Sequence, residues 1–257
     1  TIWGTGIYRR WYIAAFSGFL ACLCGILAYE SPFKLMELVH GKQLIPPDGA
    51  GLTPALQNYW VVIHPPTIFT GFGSLTVMAC YALAAMLTGN HIDWIKQVRP
   101  WAILSTAILG LGLCMGGFWA YETLGWGGFW MWDPVKNVSF VPWVLTAAFV
   151  HGVIVQTTKK KWQATNLLFG ALPFMAFVYG TFLTRSGFLS EASVHSFAEM
   201  NRSALRQLVA LLVVMTVAFL GLWLVRMIQS LKDAKPEPAT KGITRDTLYA
   251  LLRFDPR

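Results

Sequence analysis

The chain has 257 residues, of which 55% are apolar and only 12% are charged. Soluble domains carry roughly 25% charged residues, and disordered chains combine low hydrophobicity with high charge, so the composition excludes both classes. The net charge is +8, from 20 Lys and Arg against 12 Asp and Glu. Because the basic residues mostly flank apolar runs, we interpret them as signals of membrane topology and expect no nucleic-acid partner.

Six apolar runs approach or exceed the length of about 20 residues that a membrane-spanning helix needs. They cover residues 8–29, 66–88, 101–121, 141–157, 166–185 and 204–228. The sequence therefore predicts an all-α integral membrane protein with six transmembrane helices. The fourth run is short, and its helix gains length if it begins at the turn that contains Pro142 or slightly before. Because residue 1 is Thr and not Met, we expect an excerpt or a processed chain.

The segments between the runs differ in charge. One side of the membrane would hold both termini and the 89–100 and 158–165 loops, with 14 Lys and Arg against 5 Asp and Glu. The other side has 6 Lys and Arg against 7 Asp and Glu. Since an excess of Lys and Arg marks the cytoplasmic side, both termini are predicted to be cytoplasmic and three aromatic-rich loops to face outward. Residues 1–230 then form a membrane domain, and residues 231–257 form a cytoplasmic extension.

The outward segment 122–143 is unusually rich in tryptophan. Residues 126–143 contain four Trp and two Phe. An aromatic belt at the membrane surface explains one or two Trp per helix end, but not this density. Adjacent glycines let a backbone approach a flat object, and Trp rings offer rigid apolar faces, so we interpret the segment as a platform for a flat apolar ligand. Asp133 is predicted to cap a helix that begins at Pro134. The candidate ligand-binding residues are Trp126, Gly127, Gly128, Trp130, Trp132 and Asp133.

Two of the three histidines in the predicted outer segments lie in a pattern that supports a role as ligands. His64 precedes Pro65-Pro66 at the outer end of the second run, and His195 lies in the loop before the sixth. Neutral imidazole is a good iron ligand, so the pair could hold one haem from opposite axial faces above the tryptophan platform. The alternative for each is a hydrogen-bonded histidine at the membrane surface. The Pro-Pro pair fixes the backbone after His64, which suits either a rigidly held ligand histidine or the start of a helix.

Two further residues carry functional hypotheses. His151 lies about ten residues into the fourth run, roughly 15 Å deep, where an ionisable side chain is costly and therefore a candidate for function. We favour a ligand to a second, membrane-embedded haem b over a histidine bonded to a neighbouring helix. Arg185 ends the fifth run on the outer side, where it could pair with a haem propionate or reach lipid phosphate. No spacing suggests a covalent nucleophile, so no catalytic residue is assigned.

These motifs resemble a known family over about residues 55–205. The tryptophan-rich segment is similar to the WWD signature of haem-handling membrane proteins, and the flanking segments narrow the resemblance to the CcmF-type haem lyases, including NrfE-type relatives. The residues that carry it are Trp126-Gly-Gly-x-x-x-Trp132-Asp133-Pro134, Asn137-x-Ser139-Phe140-x-Pro142-Trp143, His64-Pro-Pro, Gly180-Thr-Phe-Leu-Thr-Arg185-Ser-Gly and Ser193-Val-His195-Ser-Phe-Ala.

The resemblance implies a cytochrome c haem lyase of System I in the bacterial inner membrane, with the WWD loop in the periplasm; a mitochondrial inner membrane is the alternative. Haem b would arrive from the haem chaperone CcmE and be joined to the C-x-x-C-H thiols of apocytochrome c, which CcmH- and CcmI-type partners deliver. His64 and His195 would be the axial ligands of the haem in transit. His151 would be one ligand of a structural haem b.

This chain departs from the family pattern in two respects. Family members have Glu where Lys136 stands, and they are about twice as long, with the second transmembrane histidine in the part beyond this chain.

Three other functions are alternatives to a haem lyase of System I. A System II synthase of the CcsA type also has a WWD loop and flanking histidines. A di-haem electron-transfer subunit would need several histidine pairs at membrane depth. A transporter with an aromatic substrate loop would bind no haem.

Overall fold

The computed structural model describes residues 6–29, 31, 51–52, 54–123, 128–187 and 201–233. Within these ranges all regular secondary structure is helical, and six helices are long and apolar enough to cross a membrane, as predicted. A short 3-10 helix, Gly6–Tyr8, leads into the first of them. The helices are α1 (Arg9–Tyr29), α2 (Trp60–Thr88), α3 (Trp94–Thr123), α4 (Pro134–Lys159), α5 (Gln163–Arg185) and α6 (Arg202–Asp233).

Helices α2, α3 and α4 begin earlier than the sequence predicted, and α3 starts at Trp94 with Pro100 inside it. α2 starts at Trp60, whose backbone N–H is accepted by the Asn58 side chain (2.9 Å), so Pro65 and Pro66 lie inside the helix and not at its start. α4 starts at Pro134, eight residues before Pro142. Membrane helices tolerate internal proline because neighbouring helices and side chains compensate for the lost backbone bond. Proline was therefore a misleading marker of the helix ends here.

α2 is the central helix of the bundle. Within its most apolar window 67% of the residues are buried, against 11% for α1 and 17% for α6. It packs against α1, α3, α5 and α6, while α4 packs against α3 and α5. Apolar side chains gain little from leaving lipid, so such helices depend on close packing through small residues. At Gly71 a Cβ would lie 2.8 Å from Leu109, and at Gly112 2.8 Å from Ile68, so α2 and α3 are in close contact.

Polar contacts join several helix ends at one end of the bundle, called here the basic end (residues 6–10, 86–96, 156–166 and 226–229). The Tyr8 hydroxyl donates to the Asn90 carbonyl (3.1 Å), and Gln156 Nε2 donates to the His91 carbonyl (2.8 Å). Arg226 donates to two carbonyls in the last turn of α2, at 2.6 and 3.1 Å. The segments that the charge count placed together therefore lie together. That this end faces the cytoplasm remains a prediction.

A buried amide network extends the basic end into the membrane region. Asn166 Nδ2 donates to Gln156 Oε1 (2.7 Å) and to the Gly152 carbonyl (2.9 Å). Gly152 is needed at this point because a Cβ there would overlap Asn166 Oδ1. In lipid an unpaired amide would be costly, so the network fixes the register of α4 against α5.

His91 gives the basic end a predicted pH dependence. Burial, and secondarily the charge of Arg226, lower the pKa of His91 from 6.5 to about 4. Between these values the unfolded chain binds more protons than the folded one, so stability falls as the pH falls. We expect the unfolding temperature in detergent to decrease between about pH 7 and pH 4.5.

The variant His91→Gln isolates this effect because Gln does not titrate. We expect it to flatten the pH dependence of the unfolding temperature. Lys96 lowers the pKa of the nearby Asp93 by hydrogen bonding, which moves the titration of this carboxyl away from that of His91. An equally steep dependence in wild type and His91→Gln would contradict the assignment to His91.

Candidate functional site

The opposite end of the bundle carries most of the predicted site residues. It contains the start of α2, the end of α3 and the start of α4, together with the described part of the tryptophan loop, residues 128–133. We call this the tryptophan end. The described residues contain no group of three or more His, Cys, Asp or Glu that could hold a metal ion by themselves. Histidines placed singly suit axial ligation of a haem, in which the porphyrin supplies the other donors.

His64 is held in the contact between α2 and α3. Its Nδ1 lies 3.0 Å from the Gly112 carbonyl oxygen, which can only accept a hydrogen bond, so Nδ1 carries the proton and the lone pair is on Nε2. A backbone carbonyl on one ring nitrogen is the usual partner of a metal-ligating histidine. The imidazole packs 5.7 Å from the Trp119 ring, edge to face. The ring is therefore fixed in orientation and tautomer.

Gly116 makes room for this imidazole. A Cβ at Gly116 would lie 2.8 Å from His64 Cε1, closer than carbon atoms approach in proteins. Gly112 and Gly116 are spaced four residues apart and lie on one face of α3, as in the G-x-x-x-G packing motif of membrane helices. The sequence analysis missed both glycines, although this spacing was the signal that could have found them.

A shared carboxylate joins the start of α2 to the end of α3. Glu122 Oε2 accepts hydrogen bonds from the Tyr59 hydroxyl and from Trp60 Nε1, both at 2.7 Å. The hydrogen bond to Glu122 raises the pKa of the Tyr59 hydroxyl above its ordinary value. Trp60 also stacks on Phe118 with ring centroids 6.0 Å apart. This contact was not predicted, because only the fold brings residues 59–60 and 122 together.

The described part of the tryptophan loop is anchored on α3. The Phe129 ring occupies the space that a side chain at Gly117 would need, and it meets Phe118 edge to face at 5.2 Å. Gly128, immediately before it, has a positive φ of 78°, which glycine adopts without strain. Since Phe118 also stacks on Trp60, the loop is connected to the turn of α2 that precedes His64.

The tryptophan rings pack on one another and do not form one flat surface. Trp130, Trp132 and Phe140 meet edge to face, with centroids 5.7–6.2 Å apart and interplanar angles of 60–86°. Trp132 is 67% exposed, and its φ of 53° costs about 1–2 kcal/mol for a residue other than glycine. A large exposed ring on strained backbone is compatible with a binding site. A flat ligand would meet individual ring faces, chiefly that of Trp132.

Asp133 caps α4, as predicted. Its Oδ2 accepts the backbone N–H of Lys136 at 3.3 Å, the usual contact of an N-cap residue with the third helical residue. Lys136 Nζ lies 5.8 Å from the centroid of the Trp130 ring. The cap fixes the point at which the loop enters the membrane helix. It therefore places the tryptophan rings relative to α4.

His151 lies away from the tryptophan end. Because α4 starts at Pro134, the residue is deeper than predicted, eight residues before Lys159 and so about 12 Å from the basic end. The side chain is exposed on the surface of the helix bundle. Its Nδ1 bonds to the Ala147 carbonyl at 2.7 Å. As with His64, this places the proton on Nδ1 and the lone pair on Nε2.

Arg185 is the last residue of α5 and is exposed at the tryptophan end, where a cation suits a helix C-terminus. Gly180, five residues earlier, belongs to the same Gly180-Thr-Phe-Leu-Thr-Arg185-Ser-Gly motif. A side chain at Gly180 would overlap Val138 of α4, so this glycine serves helix packing.

The structure places six of the predicted site residues at the tryptophan end of the bundle, namely His64, Gly128, Trp130, Trp132, Asp133 and Arg185. His195, Trp126 and Gly127 lie outside the described residues.

Comparison with known proteins identifies relatives of this chain. The family model described as "Cytochrome C assembly protein" matches residues 8–191. Cytochrome c-type biogenesis protein CcmF of Pseudomonas aeruginosa is 41% identical over 155 residues, which are 60% of this chain and 23% of that protein. NrfE of Haemophilus influenzae is 34% identical over 210 residues, 81% of this chain and 32% of that protein. The solved structure of "Cytochrome c Heme Lyase CcmF" matches with a TM-score of 0.63 at 28% identity, covering 85% of this chain and 31% of that one.

These matches span about a quarter to a third of the relatives' own lengths. The family match includes α1 to α5, the His64 contact and the whole tryptophan loop. It covers more than half of the chain, and the structural match agrees with it in fold. The chain therefore belongs to the cytochrome c assembly family of multi-pass membrane proteins, with CcmF-type and NrfE-type biogenesis proteins among its relatives.

Proposed function

We propose that the chain is the haem-handling part of a System I cytochrome c haem lyase. It would hold haem b at the tryptophan end and pass it from the chaperone CcmE to the C-x-x-C-H thiols of apocytochrome c. The observation that carries this proposal is the placement of His64, whose proton lies on Nδ1 and whose Nε2 lone pair can bind iron. A histidine oriented in this way suits axial ligation better than a role in packing.

The other residues of the tryptophan end would orient the haem. Trp130 and Trp132 would contact its apolar faces, Asp133 would hold the loop on α4, and Gly128 would keep the backbone close. We assign the second axial position to His195, further contacts to Trp126 and Gly127, and a propionate to Arg185. The donor types fit haem, since neutral imidazole, aromatic rings and a cation match its iron, porphyrin and carboxylates.

The haem supplies the reactive vinyl groups of this chemistry. Each thioether forms when a cysteine sulfur bonds one vinyl carbon and the thiol proton is transferred to the other, so the reaction needs no oxidant. The chain would contribute position and orientation, and we assign no acid–base residue to it.

His151 would ligate a second, structural haem b in the membrane. Its exposed position on α4 supports this role, because a haem held there would project from the bundle toward another helix. The axial partner would come from outside this chain, in keeping with the greater length of the relatives. CcmH- and CcmI-type subunits would deliver the apocytochrome. The tryptophan end would face the periplasm of the bacterial inner membrane, as the charge distribution favours.

A haem assay on the purified chain tests the proposal. We expect a pyridine haemochrome spectrum of b type from protein purified in detergent, with more haem when CcmE is co-expressed. Haem binding that does not respond to CcmE would favour the System II alternative. Absence of haem under both conditions would contradict the proposal and reopen the transporter class.

A further inference from the structure

Lys136 lies where the tryptophan loop enters α4, and the roles assigned above leave it unused. It is the third residue of the helix, and its side chain is partly buried. The partial positive charge of a helix N-terminus disfavours a cation in the first turn, so the stability of α4 does not account for a lysine here.

The surroundings of Lys136 combine a cation with apolar rings. The ammonium lies 5.8 Å from the Trp130 centroid, and Trp130 meets the exposed ring of Trp132. Asp133, its acidic neighbour, accepts the backbone N–H of Lys136 at Oδ2, and its charge also favours the charged form of the Lys136 ammonium. Glu122, another carboxylate at the tryptophan end, accepts two hydrogen bonds from aromatic side chains. A cation beside exposed aromatic rings matches a flat apolar molecule with a carboxylate on its edge.

We propose that Lys136 forms a carboxylate-binding subsite of the tryptophan loop and pairs with one haem propionate. This inference rests on the proposed function and adds a specificity determinant to it. It concerns noncovalent recognition, and no bond is formed or broken at Lys136.

The inference is tested by titrating the full chain in detergent with haem and with haem dimethyl ester, which lacks the propionate charges. We expect Lys136→Met to weaken haem binding about fivefold, the range of a partly exposed ion pair. We expect no change for the dimethyl ester. Lys136→Arg keeps the charge and should retain near wild-type affinity for haem, which also shows that the loop folds with a substitution at this position.

Lys159→Met is the matched control. Lys159 ends the same helix at the basic end, so the substitution removes the same charge far from the tryptophan loop. It should leave both affinities unchanged. The wild-type haem affinity should also fall with added salt, and more steeply than that of Lys136→Met, because only the former has the ion pair to be screened.

The outcomes separate the two proposals. If wild type binds haem and Lys136→Met binds it equally well, the subsite is overturned and the proposed function stands. If Lys136→Met loses affinity for haem and for the dimethyl ester alike, Lys136 supports the loop and binds no propionate. If wild type binds neither compound, the proposed function fails and the subsite with it.

Discussion

Replacing His64 with Ala is expected to lower the haem retained by the purified chain at least about tenfold. Removing even an indirect partner of a metal ligand costs tenfold to a hundredfold in affinity, and His64 is proposed as the ligand itself. The loss follows from the Nδ1 contact with Gly112, which holds Nε2 in one orientation. The measurement is the pyridine haemochrome content per mole of protein.

A rescue experiment separates ligand loss from misfolding. His64→Gly leaves a space beside Gly116 that free imidazole can enter, so added imidazole should restore haem binding and the low-spin spectrum. The variant should still unfold cooperatively, with a loss of about 1 kcal/mol from placing Gly inside α2. Unchanged haem content and an unchanged absorption spectrum in His64→Ala would disprove the role of His64 as an axial ligand.

Replacing Gly116 with Ala is expected to displace the imidazole and lower both haem binding and stability. The new Cβ would lie 2.8 Å from His64 Cε1. α2 cannot easily move away, because Ile68, one turn along, is packed against Gly112. Overpacking of this kind costs about 1–3 kcal/mol, which exceeds the gain of up to about 1 kcal/mol from the better helix propensity of Ala.

Gly73→Ala is the matched control for this substitution. Gly73 lies within α2, and a Cβ built there meets no atom within 4 Å. Its unfolding temperature should equal or exceed that of wild type, because only the helix-propensity term changes. Equal stability and equal haem content in Gly116→Ala and Gly73→Ala would show that Gly116 does not govern the position of His64.

The sequence was sufficient for the number and order of the helices, because apolar length is set directly by the thickness of the membrane. It was insufficient for the starts of α2, α3 and α4, which lie six or seven residues before the predicted positions 66, 101 and 141. Pro66 and Pro142 indicated helix ends, but both lie inside helices. The correct signals were Asn58 before α2 and Asp133 before α4, of which only Asp133 was recognised. Local rules of proline placement derive from water-soluble helices and have less force in lipid.

The site was predictable in its residue types and less so in its geometry. Composition identified the tryptophan loop, and His64 was singled out by its position beside a predicted helix end. The edge-to-face packing of Trp130 and Trp132 depends on how α4 enters the bundle, which no local pattern encodes. The Glu122 contact joins residues 62–63 positions apart, and it became visible only when α2 and α3 were paired.

The close contact of α2 and α3 also determines how the site depends on the continuity of the chain. Gly71, Gly112 and Gly116 each receive a specific neighbour from the other helix, so sliding one helix past the other by a single residue would break all three contacts. The height of His64 along the bundle is thus set by helix register and not by the five-residue connection 89–93. The same imidazole position would be reached if α2 and α3 were parts of separate polypeptides, so a break of the chain at this connection would leave the proposed haem ligand in place.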